Sequence, residues 1–272
     1  MDIYGNHVTV DDPFEIRNAR QFLSFAYEVK GDDKRTGNDF SGKFVRLDAS
    51  LLLQPTESVD DTLSYATINW IGIGDTSKPF NGTFLGGMRY VRYLKGKPLF
   101  MNIGESGRVE GLTLDRVLGL TAGGGMVAGT NSGTICATMA EVHKKNSGFT
   151  GADLSGICGT NNGAIVACGV IGNISTPIAG ICANNSGTIT ASYAGINNSG
   201  LVTTNSSTIN GCYYDSDKAV SPVSQTGAEG LPTLTMQRTG FVETMNNALK
   251  YAGEHAETHT FQYRAAYYPK AY

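Results

Sequence analysis

The sequence predicts an all-β solenoid: a right-handed, single-stranded parallel β-helix with a short N-terminal capping helix and a helical and extended C-terminal cap. A short motif of Asn, a small residue and a β-branched residue recurs every 20 to 30 residues, a period typical of solenoids. The 35 glycines are nearly double the average share and indicate frequent tight turns. The segments between these turns are too short to bury an apolar face alone, so they must stack.

The motif is clearest in TNSGTIC from Thr130, TNNGAIV from Thr160, NNSGTIT from Asn184 and TNSSTIN from Thr204. With the earlier ESGRVEG, these segments align at spacings of 26, 30, 24 and 20 residues on Val109, Ile135, Ile165, Ile189 and Ile209. Short second segments such as GMVAG at Gly125 precede the corners, so each repeat holds at least two strands. Stacking in register predicts Ile on Ile, Cys158 on Cys182, and Asn on Asn with amides that can bond between coils.

A bend is expected within each repeat. Ile165 and Cys168, like Ile209 and Cys212, lie three residues apart, which is the wrong parity for two inward side chains on one flat strand. We therefore expect Ile165 to face inward, Val166 to face outward, and the chain to turn before Cys168. The right hand follows from the strong preference of parallel crossovers for that hand.

A solenoid exposes unpaired strands at both ends and therefore needs caps. Asn18 with Gln21 three residues later predicts a helix N-terminus. The apolar face of this helix is predicted at Phe22, Leu23, Ala26 and Val29. A second helix is predicted in TGFVETMNNALKYA, with apolar residues Phe241, Val242, Met245, Leu249 and Ala252. The predicted divisions are an N-terminal cap at 1–39, the β-helix at 40–214 and a C-terminal cap at 215–272.

An ordered set of segments resembles the bacterial surface proteins that are built from GLUG-type repeats. The N-terminal elements are EIRNARQFLSFAYEVKG, FSGKFVRLDASLLL, NWIGIGD and PFNGTFLGGMRYVRYLKG, and the closing elements are GCYYDSD, TMQRTGFVETMNNAL and YYPKAY. Leu85 and Met88 replace the Asp and Gly that are usual in the family. The resemblance implies a secreted or surface-displayed, adhesin-like right-handed β-helix, and it supplies no catalytic residue.

Charge and composition restrict the chemistry. The formal net charge of −3 gives no indication of a nucleic-acid partner. Residues 154–214 contain no Asp, Glu, Lys, Arg or His, so most of the clearest repeats cannot supply a general acid and base. We predict a non-enzymatic protein without cofactor or bound metal. A carbohydrate-active β-helix enzyme, either a polysaccharide lyase or a glycoside hydrolase, and a passive structural spacer are the alternatives.

MRYVRYLKGK is the predicted ligand-binding segment. The resemblance implies that Val91 and Leu94 face inward, and the candidates then form a basic and aromatic strip that consists of Arg89, Tyr90, Arg92, Tyr93 and Lys95. Arg and Tyr suit acidic sugars through charge-assisted hydrogen bonds and ring contacts. The expected partner is a glycan or protein on a host or microbial surface. The competing interpretation is a charged outer face with tyrosines packed beneath a neighbouring loop.

Other polar residues have simpler structural interpretations. Asp215 and Asp217 either bind a hard cation or form the turn that ends the coil. EVHKK, with His143, Lys144 and Lys145, is predicted to be a solvated loop, and Trp70 is predicted to anchor the core or a cap. The five cysteines are an odd number without a zinc-ligand spacing. They are interpreted as small buried residues, and spacing alone leaves a disulfide between neighbouring turns open.

The predicted location is extracellular or on the bacterial cell surface, as the resemblance implies. No stretch approaches the ~20 apolar residues of a membrane-spanning helix. The start MDIYGNHVTV lacks a basic segment followed by an apolar one, so an export signal is absent from this sequence. A leader upstream of Met1 would supply export, and a lipid anchor attached through it is a further alternative.

Overall fold

The computed structural model describes residues 9–32, 35–53, 69–142, 148–220, 225–253, 259–264 and 267–272. Three parallel sheets dominate these residues. Sheet 1 contains Phe14–Ile16, Phe44–Leu47, Thr83–Leu85, Arg108–Glu110, Thr134–Cys136, Ala164–Val166, Thr188–Thr190 and Ile209–Asn210. Sheet 2 contains Leu51–Leu52, Tyr90–Arg92, Thr113–Asp115, Met139–Val142, Gly169–Gly172, Tyr193–Gly195, Cys212–Asp215 and Ala228–Leu231. Sheet 3 contains Phe100–Ile103, Ala128–Asn131, Cys158–Asn161, Cys182–Asn185 and Val202–Asn205.

The chain visits the three sheets in turn. One coil, for example, passes through Ala128–Asn131 in sheet 3, Thr134–Cys136 in sheet 1 and Met139–Val142 in sheet 2. The following coil then pairs with it in parallel in all three sheets. The described chain is therefore mostly β, with parallel strands and few helices, as a solenoid-like parallel β fold requires.

The predicted register of the repeats is confirmed. The aligned β-branched residues pair directly along sheet 1, from Val109 to Ile135, Ile165, Ile189 and Ile209. They are exposed by no more than 5%. Cys158 pairs with Cys182 in sheet 3, also as predicted. All five cysteines are buried and free, in agreement with their interpretation as small packing residues.

A ladder of asparagines runs along the corner between sheets 3 and 1. Nδ2 of Asn131 donates to Oδ1 of Asn161 at 2.8 Å. Asn161 donates in the same way to Asn185 at 2.8 Å, and Asn185 donates to Asn205 at 2.7 Å. The amides of Asn161 and Asn185 thus both donate to one neighbour and accept from the other inside the corner, as polar groups buried away from water must. The recurrent Asn of the sequence is a structural residue.

The predicted bend lies between sheets 1 and 2. Ala137, Ala167, Ala191 and Gly211 occupy equivalent positions in four coils, and all have positive φ, between 44° and 57°. This left-handed conformation reverses the alternation of side chains, so that Cys168 faces inward three residues after Ile165. Alanine at three of these corners is strained relative to glycine.

Helix α1, Ala19–Lys30, covers the N-terminal end of the core. Asn18 Oδ1 accepts from the backbone N–H of Gln21 at 2.9 Å, and Gln21 Oε1 accepts from that of Arg17 at 2.8 Å. Phe22, Phe25, Ala26 and Val29 are buried, whereas the predicted Leu23 is only partly buried. The ring of Phe22 stacks on Trp70 at 4.8 Å between centroids, so Trp70 is an anchor for this helix, as predicted.

The C-terminal segment contains α2, Thr233–Met236, α3, Thr239–Ala248, and a 3-10 turn, Leu249–Tyr251. An antiparallel hairpin, Phe261–Arg264 with Tyr267–Ala271, follows. This segment packs on the outer side of the coils and forms a second apolar cluster with outward-facing residues of sheets 1 and 2. Val166 faces outward as predicted, but it is only 3% exposed because the C-terminal segment covers it.

The second apolar cluster centres on Tyr193, which is 0% exposed. Its ring stacks on Tyr268 and meets Phe241 edge-on, and its hydroxyl donates to the carbonyl of Pro269. The neighbouring strand position is Gly169, where an added Cβ would lie 2.7 Å from the Tyr193 ring. Glycine thus provides the space that the tyrosine fills.

Two smaller sheets complete the described strands: Gly31–Asp32 with Arg35–Thr36, and Lys95–Gly96 with Gly119–Leu120. Parallel pairing extends to Phe14–Ile16 and to Ala228–Leu231, beyond both predicted boundaries of the β-helix. Within the described part of the chain, no helix has the length and apolar content for crossing a membrane.

Candidate functional site

The predicted basic strip begins on the sheet 2 strand Tyr90–Arg92. Val91 and Leu94 face inward and are 0% exposed, as the strip requires. Tyr90 and Arg92 therefore lie together on the outer face. Arg89 and Lys95 are exposed at either end of the segment.

Contacts within the protein occupy much of this strip. Arg92 Nε donates to Asp115 Oδ2 at 2.6 Å, from the paired strand. The Tyr90 ring lies 4.9 Å from the Arg92 guanidinium and 4.8 Å from Lys270 Nζ. Tyr93 accepts a hydrogen bond from Arg116 Nη1 at 3.2 Å. The structure thus brings Tyr90 and Arg92 together, but it neutralises Arg92 and leaves Arg89 and Lys95 as the solvent-exposed cations of the predicted set.

A groove on the outer face of sheet 3, here called the sheet 3 groove, was not predicted. Its volume is about 320 Å³, and its polar lining includes Asp75, Asn102, Thr130, Asp153 and Thr160. A second depression of about 570 Å³ shares Asn102 with it and adds Asn81, Glu105, Ser106 and Ser132. Amides, hydroxyls and carboxylates line both, together with apolar residues such as Pro98 and Met101 in the groove and Pro79 in the depression, and no Lys or Arg lines either of them.

The parallel register creates a row of polar side chains that runs through the sheet 3 groove and continues beyond its lining residues. Asn102, Thr130, Thr160, Asn184 and Thr204 are direct partners on five successive strands. At the usual strand spacing the row extends over roughly 19 Å. Each of these side chains can both donate and accept hydrogen bonds, which matches a ligand rich in hydroxyl groups.

Carboxylates lie at two places along this row. Asp153 is exposed and accepts a hydrogen bond from Asn184 Nδ2 at 2.9 Å. Partial burial acts to raise the pKa of Asp75, but hydrogen bonds from Ser77 and Lys78, with the charge of Lys30, outweigh it and hold this pKa below its ordinary value. Ionised carboxylates are strong acceptors for hydroxyl donors, and they disfavour an anionic ligand.

A third cluster joins sheet 1 to the C-terminal segment. Glu110 and Cys136 are direct partners on adjacent strands, and His259 lies against them, with donor atoms of the three residues within 4.8 Å of one another. Burial raises the pKa of the Cys136 thiol and lowers the pKa of His259. The Glu110 side chain is 29% exposed, and its Oε2 pairs with Arg108 Nε at 2.8 Å.

Asp215 and Asp217 form part of a turn rather than an open cation site. Asp215 is 0% exposed, and its carboxylate accepts from the hydroxyls of Thr233 and Tyr268 and from the backbone N–H of Asp217. Asp217 Oδ2 accepts from the backbone N–H of Thr233 at 2.9 Å.

The EVHKK segment is described only in part. Glu141 is only 3% exposed on sheet 2, and the predicted loop residues His143, Lys144 and Lys145 lie outside the described residues.

The structure thus adds two sites that sequence reasoning missed. The sequence does contain a signal for the sheet 3 row, namely the Thr or Asn that recurs before each corner. Residues at the same position of successive repeats stack on one face of the sheet. Nothing comparable indicated His259, since it belongs to no repeat and reaches Cys136 only through the packing of the C-terminal segment.

Comparison with known proteins supports the fold alone. No protein-family model matches the chain, and no curated protein matches it in sequence. A crystal structure described as that of "a putative immunoglobulin A1 protease from Bacteroides ovatus" superposes with a TM-score of 0.51 at 14% sequence identity, covering 88% of each chain. At this identity the similarity shows a shared β-rich architecture with parallel sheets, and the GLUG-type assignment stays a prediction.

Proposed function

We propose that this protein is a non-enzymatic, adhesin-like binding module that is secreted or displayed on the bacterial surface and holds glycans. The observation that carries the proposal is the sheet 3 groove. Its row of Asn and Thr side chains repeats once per strand, and a linear glycan likewise presents hydroxyl groups at regular intervals. Hydroxyl-bearing and amide side chains can match both donors and acceptors of such a ligand.

The charges of the groove favour an uncharged glycan. Asp75 and Asp153 line it, and no basic residue does, so an acidic sugar would meet repulsion. The basic strip offers the alternative site for an acidic glycan, through the exposed Arg89 and Lys95. Binding there would be weak and would decrease with salt, because exposed charges are screened.

The proposal includes the architecture implied by the GLUG-type resemblance. One chain winds the coils with a right-handed turn, as parallel crossovers almost always do. The regions 1–39 and 215–272 contribute the outermost parallel strands, Phe14–Ile16 and Ala228–Leu231, and the remainder of these regions acts as the caps that a solenoid needs against further pairing. Both features suit a rigid rod that presents a binding face away from a cell surface.

Two constellations resemble enzyme sites, but their burial favours a structural role. The superposed Bacteroides ovatus structure carries the name "putative immunoglobulin A1 protease", and Cys136 with His259 and Glu110 has the side-chain types of a thiol protease. However, Cys136 is 0% exposed and burial raises its pKa, whereas a nucleophilic cysteine is an accessible thiolate.

The second constellation is a pair of carboxylates, the side chains that a glycoside hydrolase uses. Asp115 and Glu141 are neighbours on sheet 2, but their exposures of 5% and 3% leave a glycan no access to them.

A glycan array containing uncharged and acidic glycans tests the proposal. The double variant Thr130→Ala/Thr160→Ala should reduce binding of the uncharged ligand. Thr134→Ala/Thr188→Ala is the matched control, because these threonines lie on the outer face of sheet 1 in the same series of coils, and it should bind like the unmodified protein.

Three outcomes of this array would contradict the proposal in different ways. Binding of acidic glycans alone, lost in Arg89→Ala/Lys95→Ala, would move the site to the basic strip. Released oligosaccharide after long incubation would identify a carbohydrate-active enzyme. Absence of binding to every glycan on the array would favour the alternative of a passive structural spacer.

A further inference from the structure

We propose that Glu110, Cys136 and His259 form a zinc site that fastens the C-terminal segment to the side of the solenoid. The three residues come from two adjacent coils and from the segment that leads into the C-terminal hairpin. Their donor atoms, a carboxylate oxygen, a thiol sulfur and an imidazole nitrogen, lie within 4.8 Å of one another. This proposal is independent of glycan binding.

The donor set selects the metal. Zn²⁺ is bound in proteins by Cys, His and carboxylate ligands, usually in a tetrahedral arrangement. Hard cations such as Ca²⁺ and Mg²⁺ prefer oxygen ligands alone. A set with one sulfur, one nitrogen and one oxygen therefore fits zinc or a related divalent transition metal.

The distances are compatible with coordination after a small closure. Metal–ligand bonds of about 2.0–2.3 Å in a tetrahedral site place the donor atoms about 3.3–3.8 Å apart. The present separations of up to 4.8 Å require donors to approach by about 1 Å. Side-chain rotation of Glu110 and His259 can supply this movement, while the parallel pairing of the Glu110 strand with that of Cys136 holds their backbones in place.

The surroundings provide orientation and access. Arg108 Nε donates to Glu110 Oε2 at 2.8 Å, and such outer contacts commonly orient ligating carboxylates. Cys136 is 0% and His259 7% exposed, whereas the Glu110 side chain is 29% exposed. A metal ion can therefore enter beside Glu110, and a fourth position on this side can take water.

The site would join two parts of the fold that are distant in sequence. His259 directly precedes Thr260, whose backbone exchanges hydrogen bonds with Tyr272, and Phe261 of the hairpin is anchored to Asn246 of α3. A metal ion that is bound by both His259 and Cys136 would thus attach the hairpin and α3 to sheet 1. The Cys136 thiol proton would be released to solvent when the metal binds.

The test uses the whole 272-residue chain after removal of metals with a chelator. Zn²⁺ should bind with a stoichiometry of one per chain in isothermal titration and should raise the thermal unfolding temperature. Co²⁺ should produce a thiolate-to-metal charge-transfer band in the absorption spectrum. Cys136→Ser and His259→Gln should each weaken Zn²⁺ binding, on the order of 100-fold or more, and Cys136→Ser should abolish the band.

Cys168→Ser is the matched control, because Cys168 is equally buried but donates to the Val166 and Ile135 carbonyls. Cys168→Ser should retain both the affinity for Zn²⁺ and the Co²⁺ charge-transfer band. Absence of the cobalt band in the unmodified protein would overturn the proposal, whether or not the variants fold. Zn²⁺ binding that is unchanged in Cys136→Ser and His259→Gln would also overturn it.

Discussion

The asparagine ladder should contribute measurably to stability, and Asn161→Ala tests this. Asn161 is 0% exposed; it donates to Asn185 and accepts from Asn131, both at 2.8 Å. Alanine removes both bonds and leaves Asn185 Oδ1 without this donor, while Asn131 keeps its contacts to the carbonyls of Gly133 and Ala164. A net hydrogen bond contributes about 1 kcal/mol, and a buried unsatisfied group costs about 1–3 kcal/mol. We expect the free energy of unfolding to fall by about 2–4 kcal/mol.

Two matched variants separate the ladder from asparagine in general. Asn162 is the exposed neighbour of Asn161, so Asn162→Ala should change the free energy of unfolding by less than about 0.5 kcal/mol. Asn205 is the exposed last member of the ladder and accepts from Asn185 at 2.7 Å. Asn205→Ala should therefore have an intermediate effect, about 1 kcal/mol.

Urea unfolding followed by circular dichroism measures these effects. A change in stability alone shifts the midpoint and leaves the slope unchanged. If Asn161→Ala lowers stability no more than Asn162→Ala does, the amide ladder is not a stabilising element and the reasoning fails.

Three further predictions concern the core, the thiols and the C-terminal segment. Ile165→Ala should lower the free energy of unfolding by about 2–5 kcal/mol in the same urea experiment, because the side chain is 0% exposed; a loss below about 1 kcal/mol would contradict the inward register. Burial raises the pKa of Cys168 and of Cys212 to about 12, so both thiols should react slowly with a thiol reagent in native protein and rapidly in denaturant. Rapid native labelling would show that they reach solvent. Burial and the hydrogen bond to Asp215 raise the pKa of Tyr268, so its contribution to stability is present below about pH 10 and is lost as pH rises further, because the unfolded chain then releases the proton first. Tyr268→Phe should flatten this part of the stability profile, and an identical profile would contradict the assignment.

The coil register could be derived from the sequence because it depends on local, repeated constraints. Ile165 and Ile189 occupy the same phase of successive repeats, and in-register pairing is the arrangement that buries both. The bend before Cys168 followed from side-chain parity in the same way. The Asn18 cap followed from the short-range spacing of hydrogen-bonding side chains.

The candidate sites were only partly accessible to such reasoning. The GLUG-type resemblance implied that Val91 faces inward, and with it that Tyr90 and Arg92 share one outer face, as the structure shows. It could not show that Asp115 neutralises Arg92, since the pairing of these strands depends on the irregular length of the segment between them. The sheet 3 groove likewise depends on where the loops that contain Asp75 and Asp153 lie beside the sheet.

The sequence by itself determined which side chains of each coil face inward, because the alternation of a strand and the period of a repeat are properties of consecutive residues. Only the tertiary structure decided what lies on the outside. Val166 and Tyr193 are outward and apolar, and the C-terminal segment covers them; the same packing brings His259 to Cys136. The physical reason is that hydrophobic burial is non-directional: an outward apolar residue requires a cover, but its own position in the chain does not specify which distant segment provides it.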